Sequence, residues 1–396
     1  MKSKVLLPAI AVCLCVNISA SAKADTWQPS PQIKIAVAGM KNAVANVKYM
    51  RARVIYTNHL PTQFTDLMDA IQKDNPKMPQ GKTANSYIAR NNILWQIAGA
   101  DVYLRTQRYV VGDANSTTMI TWEKNNTIYQ LTSQWEQRTE EDKKRIYYDG
   151  WIGQVAKTKI RGNLFYSDLK ETPLMLAFNN ALADSFLQKK NNATFKGYNN
   201  IDGNKCMKIE THPAKDALYT WWIDVNHGFL IYRSEQITKF DDITSKAVSQ
   251  ASHLVKYGKT WLPQKIETKI DVNDEVKLLR EKNPTVLPPS LKDASAVVPP
   301  LVQEYTIQDV SIGDKKIPPV IWPLGTSLSF NDPNNAFTIT AVTEKELAQL
   351  NLNRKTRSLP ALREYPIGAH KPGTIGVALS NAEIKQLKKW RANDMQ

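Results

Sequence analysis

Side chains able to do covalent or metal chemistry are few in this chain and poorly spaced for it. The five histidines, His59, His212, His227, His253 and His370, are scattered, without the short separations that let two imidazoles share a metal ion. His227 lies beside Gly228 in a turn-forming stretch and His212 precedes Pro213, so turn and surface roles account for them. The acidic pairs Glu140-Glu141 and Asp241-Asp242 fall in polar stretches and read as solvated loop charges rather than an acid and a base. No Walker-type phosphate loop, Gly-x-Ser-x-Gly elbow, His-Glu-x-x-His or Cys-x-x-Cys occurs. The chain therefore reads as non-enzymatic, with no cofactor and no metal. What recurs instead is aromatic residues in stretches of strand character: Trp95, Tyr103, Trp122, Tyr129, Trp135, Tyr147, Trp151, Trp221 and Phe229. Alternate side chains of a strand face opposite ways, so such residues give a sheet an aromatic face. That face either packs against helices or lines an apolar cavity, and these nine are the candidate ligand-binding residues.

The start of the chain reads as a secretory leader. Lys2 and Lys4 precede an apolar run from Val5 to Val16, and Ala22-Lys23-Ala24 supplies the small residues of a cleavage site. The run is well short of the roughly 20 residues that cross a bilayer, so residues 1–24 are expected to be removed from an exported, periplasmic protein without a transmembrane segment. Cys13 and Cys15 leave with the leader, and Cys206 alone cannot form an intrachain disulfide. It reads as a small buried residue of a strand. Loss of three lysines and no acid takes the formal charge from +15 to +12. This balance favours an anionic envelope surface or an acidic partner; no recognition motif points to nucleic acid.

The elements that must position the aromatics follow from periodicity. Ser30-Pro31 is a helix start, and Ile33, Val37, Met40, Val44 and Val47 form one apolar stripe over 31–48. Arg51–Asn58 alternates as a strand, and a second helix fits Gln63–Lys73 before the Asn75-Pro76 breaker. Strands are expected over 93–97, 101–111, 117–123, 127–133, 145–149 and 154–166, joined by short polar turns. Thr172-Pro173 opens a further helix reaching Leu187. Strands resume over 194–198, 205–211, 218–224, 229–239, 247–257 and 261–272, with tight turns at Asp202-Gly203 and Asn226-His227-Gly228. Residues 281–300, with five prolines, read as a linker. Beyond them, 301–396 form a smaller extension of short strand-like pieces, ending in a basic helix over Ser380–Arg391 with Ser380 as its cap. No internal repeat stands out.

This order of elements resembles the periplasmic lipoprotein-carrier fold of the LolA and LolB class. The likeness is carried by the hairpin Asn200-Ile-Asp-Gly-Asn-Lys-Cys-Met-Lys-Ile-Glu210, Thr220-Trp-Trp-Ile-Asp224 and Gly228-Phe-Leu-Ile-Tyr-Arg-Ser-Glu235, and by Tyr257-Gly-Lys-Thr-Trp-Leu-Pro-Gln-Lys-Ile-Glu267. The resemblance implies an α+β domain over 25–280: a large antiparallel, unclosed β-barrel wrapped around amphipathic helices, with an apolar interior. It implies a carrier or sensor that binds lipid or lipoprotein acyl chains; no motif here places the class's lid-closing arginine, for which Arg51, Arg53 and Arg105 are the candidates. Two other readings stay open: an envelope interaction module using its basic surface, and an exported hydrolase with an unrecognised site.

Overall fold

The structure is a computed structural model of the 396-residue chain. It describes residues 28–74, 89–110, 117–125, 127–136, 145–154, 180–240, 243–330 and 332–394. The leader, both acidic pairs, the expected strand 154–166 beyond its first residue and the start of the helix expected from Thr172 lie outside these residues. The chain divides into two compact units. The first holds the described residues up to Ile97, residues 109–110 and those from 180 to Asp314; the second holds Ala98–Arg108, the described residues from 117 to 154, and those from Lys315 onward.

The first unit opens with α1 (Pro31–Ala45), where the Ser30 hydroxyl accepts from the Ile33 N–H and Pro31 occupies the first turn. The stripe read in the sequence is its buried face: Ile33, Ala36, Val37, Met40 and Ala43. Then come β1 (Tyr49–His59), α2 (Thr62–Asp74), β2 (Ala89–Ala98), the short α3 (Asn180–Phe186), β7 (Thr194–Ile201), β8 (Asn204–Ala214), β9 (Ala217–Asp224), β10 (Leu230–Phe240), β11 (Ile243–Tyr257), β12 (Thr260–Asp271), α4 (Asn273–Lys282) and β13 (Leu301–Ile312). From β7 to β12 each strand pairs antiparallel with the next. β13 then pairs with β12 on one side and β1 on the other, and β1 also pairs with β2. β7 pairs antiparallel with β8, and the sheet is left open. The class is α+β, an unclosed antiparallel half-barrel with helices against one face. Asp202 and Gly203, both at positive φ, make the tight β7–β8 turn.

The structure corrects the reading of residues 281–300 as a linker. The segment is two 3-10 turns, Pro284–Val286 and Pro289–Leu291, that bury Val286, Leu287, Leu291 and Val298. Leu287, Leu291 and Val298 join Phe64 and Leu67 of α2, Val276 of α4 and Ala247, Ile270 and Leu301 of the sheet in one cluster. Arg280 of α4 pins the segment by donating to the carbonyls of Leu291 (2.8 Å), Ala294 (3.3 Å) and Ala296. Asn273 adds a two-way bond to the Val298 backbone at 3.0 and 2.8 Å. Proline spacing describes chain stiffness; the apolar residues between the prolines decide whether the segment packs. The sheet likewise continues past residue 280, because β13 completes it.

In the second unit β3 (Asp101–Val110), β4 (Thr117–Lys124), β5 (Thr127–Glu136) and β6 (Arg145–Gln154) form an antiparallel meander. β14 (Ser327–Phe330) runs parallel to β6, and β15 (Asp332–Thr343), β17 (Thr374–Leu379) and β16 (Glu364–Tyr365) extend the sheet from it. β6 admits β14 this closely because residue 150 is glycine: a Cβ there would lie 2.7 Å from both Leu328 Cδ1 and Trp322 Cζ3. Helices α5 (Glu344–Thr356) and α6 (Asn381–Asn393) follow β15 and β17.

These last elements contain a short repeat. Thr343-x-x-Glu346-Leu347-x-Gln349-Leu350-x-x-x-Arg354 recurs as Ser380-x-x-Glu383-Ile384-x-Gln386-Leu387-x-x-x-Arg391. Both hydroxyls and glutamates form capping boxes. Each glutamate also binds the arginine that ends the other helix: Glu346 meets Arg391 at 2.7 and 3.0 Å, and Glu383 meets Arg354 at 2.6 Å. The Arg391 guanidinium holds the Glu346 carboxyl down at about 2. With β15 and β17 antiparallel and Leu350 and Leu387 in one cluster, the two strand–helix units form a reciprocal pair.

Candidate functional site

Strand registers in the first unit assign residues to the faces of its sheet. Following Met207↔Ile223, Ile209↔Trp221, Trp221↔Ser234, Ser234↔Ser249, Ser249↔Thr268, Ile266↔Tyr305 and Tyr305↔Tyr56 gives one continuous face from β8 to β1. The helices pack on it. At one end α1 and α3 cover Met207, Ile209, Trp221 and Ile223. At the other, α2, α4 and the Pro-rich segment cover Ala247, Ile270 and Leu301.

Between these clusters the inner face carries Val54, Ser234, Ala251, Leu262, Ile266 and Ile307, all buried, with the half-buried Tyr56, Tyr305, Gln236 and Gln303. The rings of Tyr56 and Tyr305 lie 4.8 Å apart, and burial pushes the Tyr305 phenol up from its usual value. Ser249 and Thr268 share a hydrogen bond of 2.8 Å. From β9 to β1 the inner positions Tyr219, Trp221, Ser234, Gln236, Ser249, Thr268, Gln303, Tyr305 and Tyr56 include no Asp, Glu, Lys, Arg or His. The opposite face holds the charges, in pairs such as Lys265–Glu304 (2.7 Å), Lys246–Glu235 (2.6 Å) and Lys269–Glu267 (3.0 Å).

The nine aromatics singled out in the sequence do not share one face. Trp95, Trp221 and Phe229 belong to the first unit and the other six to the second. Trp95 is fully buried and its indole N–H has no hydrogen-bond partner among the described residues. Trp221 is buried and donates to Thr211 Oγ1 at 3.1 Å. Phe229, at positive φ, seats its ring against Gly39 of α1, where a Cβ would overlap it. In the second unit Tyr103, Trp122 and Tyr129 are cross-strand partners, and Trp122 lies 5.9 Å from Tyr103 and 6.3 Å from the buried Trp322. Tyr147 and Trp151 oppose Gln134 and Gln130 in the β5–β6 register, so they alternate with the position paired to Tyr129 and face the other way. Residues that the aromatic pattern missed, Tyr56, Tyr305, Ser249 and Thr268, supply the uncharged centre. Their signal was the lack of charge at alternate positions.

Two further sites in the first unit hold buried ionisable atoms. Asp224, fully buried at the end of β9, accepts from the backbone N–H of Asn226 (2.8 Å) and His227 (3.2 Å) and meets His227 Nδ1 at 2.7 Å. It organises the β9–β10 turn. Cys206, opposite Asp224 on β8, is buried, and burial, helped by Asp224 and Asp202, pushes its thiol up to about 12. Such a thiol is a poor nucleophile.

Glu275 of α4 is the second. Its Oε2 is buried without a partner among the described residues, and burial raises the carboxyl from about 4.5 to about 7, with Asp274 and Asp271 adding to the shift. Because the folded value lies above the unfolded one, stability is fully present below about 4.5 and is lost as pH rises through about 7. Glu275→Gln should remove this slope and leave the protein about 1–3 kcal/mol more stable than the parent at alkaline pH. Urea melts on the acid and alkaline sides of neutrality check it.

Among the described residues no group of three or more His, Cys, Asp or Glu could hold a metal ion, and no helix is long and apolar enough to cross a membrane. The fold and this face define an open α+β half-barrel with an uncharged, helix-covered inner surface. Solved structures similar to it include a DUF1329 family protein from Desulfovibrio piger ATCC 29098, 10% identical, covering 74% of this chain and 96% of that one with a TM-score of 0.34. A putative outer membrane lipoprotein-sorting protein domain from Vibrio parahaemolyticus is 9% identical, with coverages of 72% and 95% and a TM-score of 0.31. A LolA superfamily protein from Nitrosomonas europaea is 9% identical, with coverages of 70% and 94% and a TM-score of 0.26. No family model matches the chain, and no curated protein matches it in sequence. At these levels of likeness, function has to be argued from the residues themselves.

Proposed function

We propose that the protein is a non-enzymatic binder of an apolar ligand, a lipid or the acyl chains of a lipoprotein, held on the inner face of the half-barrel as a carrier or sensor of the cell envelope. One observation carries this reading: the inner face from β9 to β1 is free of formal charge, while its reverse carries a ladder of Lys–Glu pairs. A face that only packed helices would need apolar residues throughout. This one interposes hydroxyls, amides and two tyrosines between the packed ends, the mix of apolar wall and few polar groups that ligand sites use.

Protein purified without detergent is expected to carry lipid, identified by mass spectrometry of an organic extract. Ser249→Arg, which places a long cation at the centre of the face, should lower lipid content and apolar-probe binding about tenfold, with an unchanged circular dichroism spectrum. Ligand-free protein that also fails to bind the probe would refute the reading.

A further inference from the structure

Leu352 of α5 and Leu359 of the following loop are 56% and 46% exposed. They line one shallow groove of about 490 Å³ together with Ala348, Lys355, Ser358 and Ala361. A lone exposed leucine is ordinary; here two share one groove with two alanines. The repeat makes the departure plain. The positions on α6 equivalent to Ala348 and Leu352 are Lys385 and Lys389, both exposed, so α6 has the solvated outer face of an ordinary surface helix.

Cations flank the patch. Lys345, Ala348, Leu352 and Lys355 follow one another at helical spacing, which sets the two lysines about 15 Å apart along the axis, and Arg357 lies just beyond. All three cations are exposed, no ion pair engages them among the described residues, and no acid lines the groove.

We propose that this face of α5 and its loop docks on an anionic lipid bilayer, Leu352 and Leu359 entering the headgroup boundary while Lys345, Lys355 and Arg357 meet lipid phosphates. Charge complementarity makes the partner anionic. The leucines make it a lipid surface, since a soluble polyanion would use the cations and leave the apolar side chains in water. The proposal is independent of the ligand of the half-barrel.

Cosedimentation of the full chain with vesicles of phosphatidylglycerol in phosphatidylcholine, against phosphatidylcholine alone, tests it. Binding should require phosphatidylglycerol and weaken with added salt. Leu352→Asp with Leu359→Asp should weaken it about tenfold or more. Both sites are exposed, and Lys389 shows that the fold accepts a charge at the Leu352 position. Lys355→Glu with Arg357→Glu should weaken binding about fivefold per charge removed, and Ser249→Arg should leave it unchanged. Absence of binding, equal binding to phosphatidylcholine alone, undiminished binding by the leucine variant, or polyglutamate displacing the vesicles from parent and leucine variant alike would overturn the proposal.

Discussion

Replacing Asp224 by alanine is expected to destabilise the first unit by about 2–4 kcal/mol, because a fully buried carboxyl that accepts three hydrogen bonds is lost. The carboxyl is 0% exposed and serves three donors: two consecutive backbone N–H groups and the imidazole of His227. Alanine leaves all three without this acceptor; Asn226 is exposed and His227 half-buried, so water takes over part of the loss and the total stays below that of three unsatisfied donors. The damage should not stay local. The turn ends in Phe229, whose ring fills the notch at Gly39 of α1, and α1 covers one end of the inner face. Asp224→Asn keeps an acceptor for the two backbone donors and should cost only about 1 kcal/mol. Urea unfolding of both variants measures the difference. A loss below about 1 kcal/mol for the alanine variant would contradict the account.

Arg280→Met should cost about 2–4 kcal/mol, while keeping most of the apolar stem that packs on the segment. The guanidinium satisfies the carbonyls of Leu291, Ala294 and Ala296. Without it the segment from 284 to 298 keeps its apolar contacts, its own turn hydrogen bonds and the tie to Asn273. Amide exchange should therefore speed up in this segment and in α4 before the rest of the sheet. Limited proteolysis should find a new cleavage site between Pro284 and Pro300. An unchanged exchange pattern would show that the prolines and buried leucines suffice.

Much of this architecture is visible along the chain. Strands β7 to β12 fall where alternation and turn residues put them, the Asp202-Gly203 turn adopts the positive φ values its residues favour, and Ser380 caps α6. α5 escaped notice because its apolar residues are split. Leu347 and Leu350 turn inward and Ala348 and Leu352 outward, so no single stripe forms. The same split hid the repeat, whose shared residues are those that cap, pack and cross-link.

Local rules act over a few residues, and what they dictate can be read from a few residues: the period of each element, its caps and turns, and the uncharged alternate positions of β9 to β13. Partnership across the sheet obeys no such rule. That β13 closes between β12 and β1, that the Pro-rich stretch is a packed cover, and that nine aromatics divide between two units all depend on residues more than 100 positions apart meeting, as Tyr56 and Tyr305 do. Burial rewards such meetings only once the whole sheet has assembled, so no stretch of sequence taken alone records them.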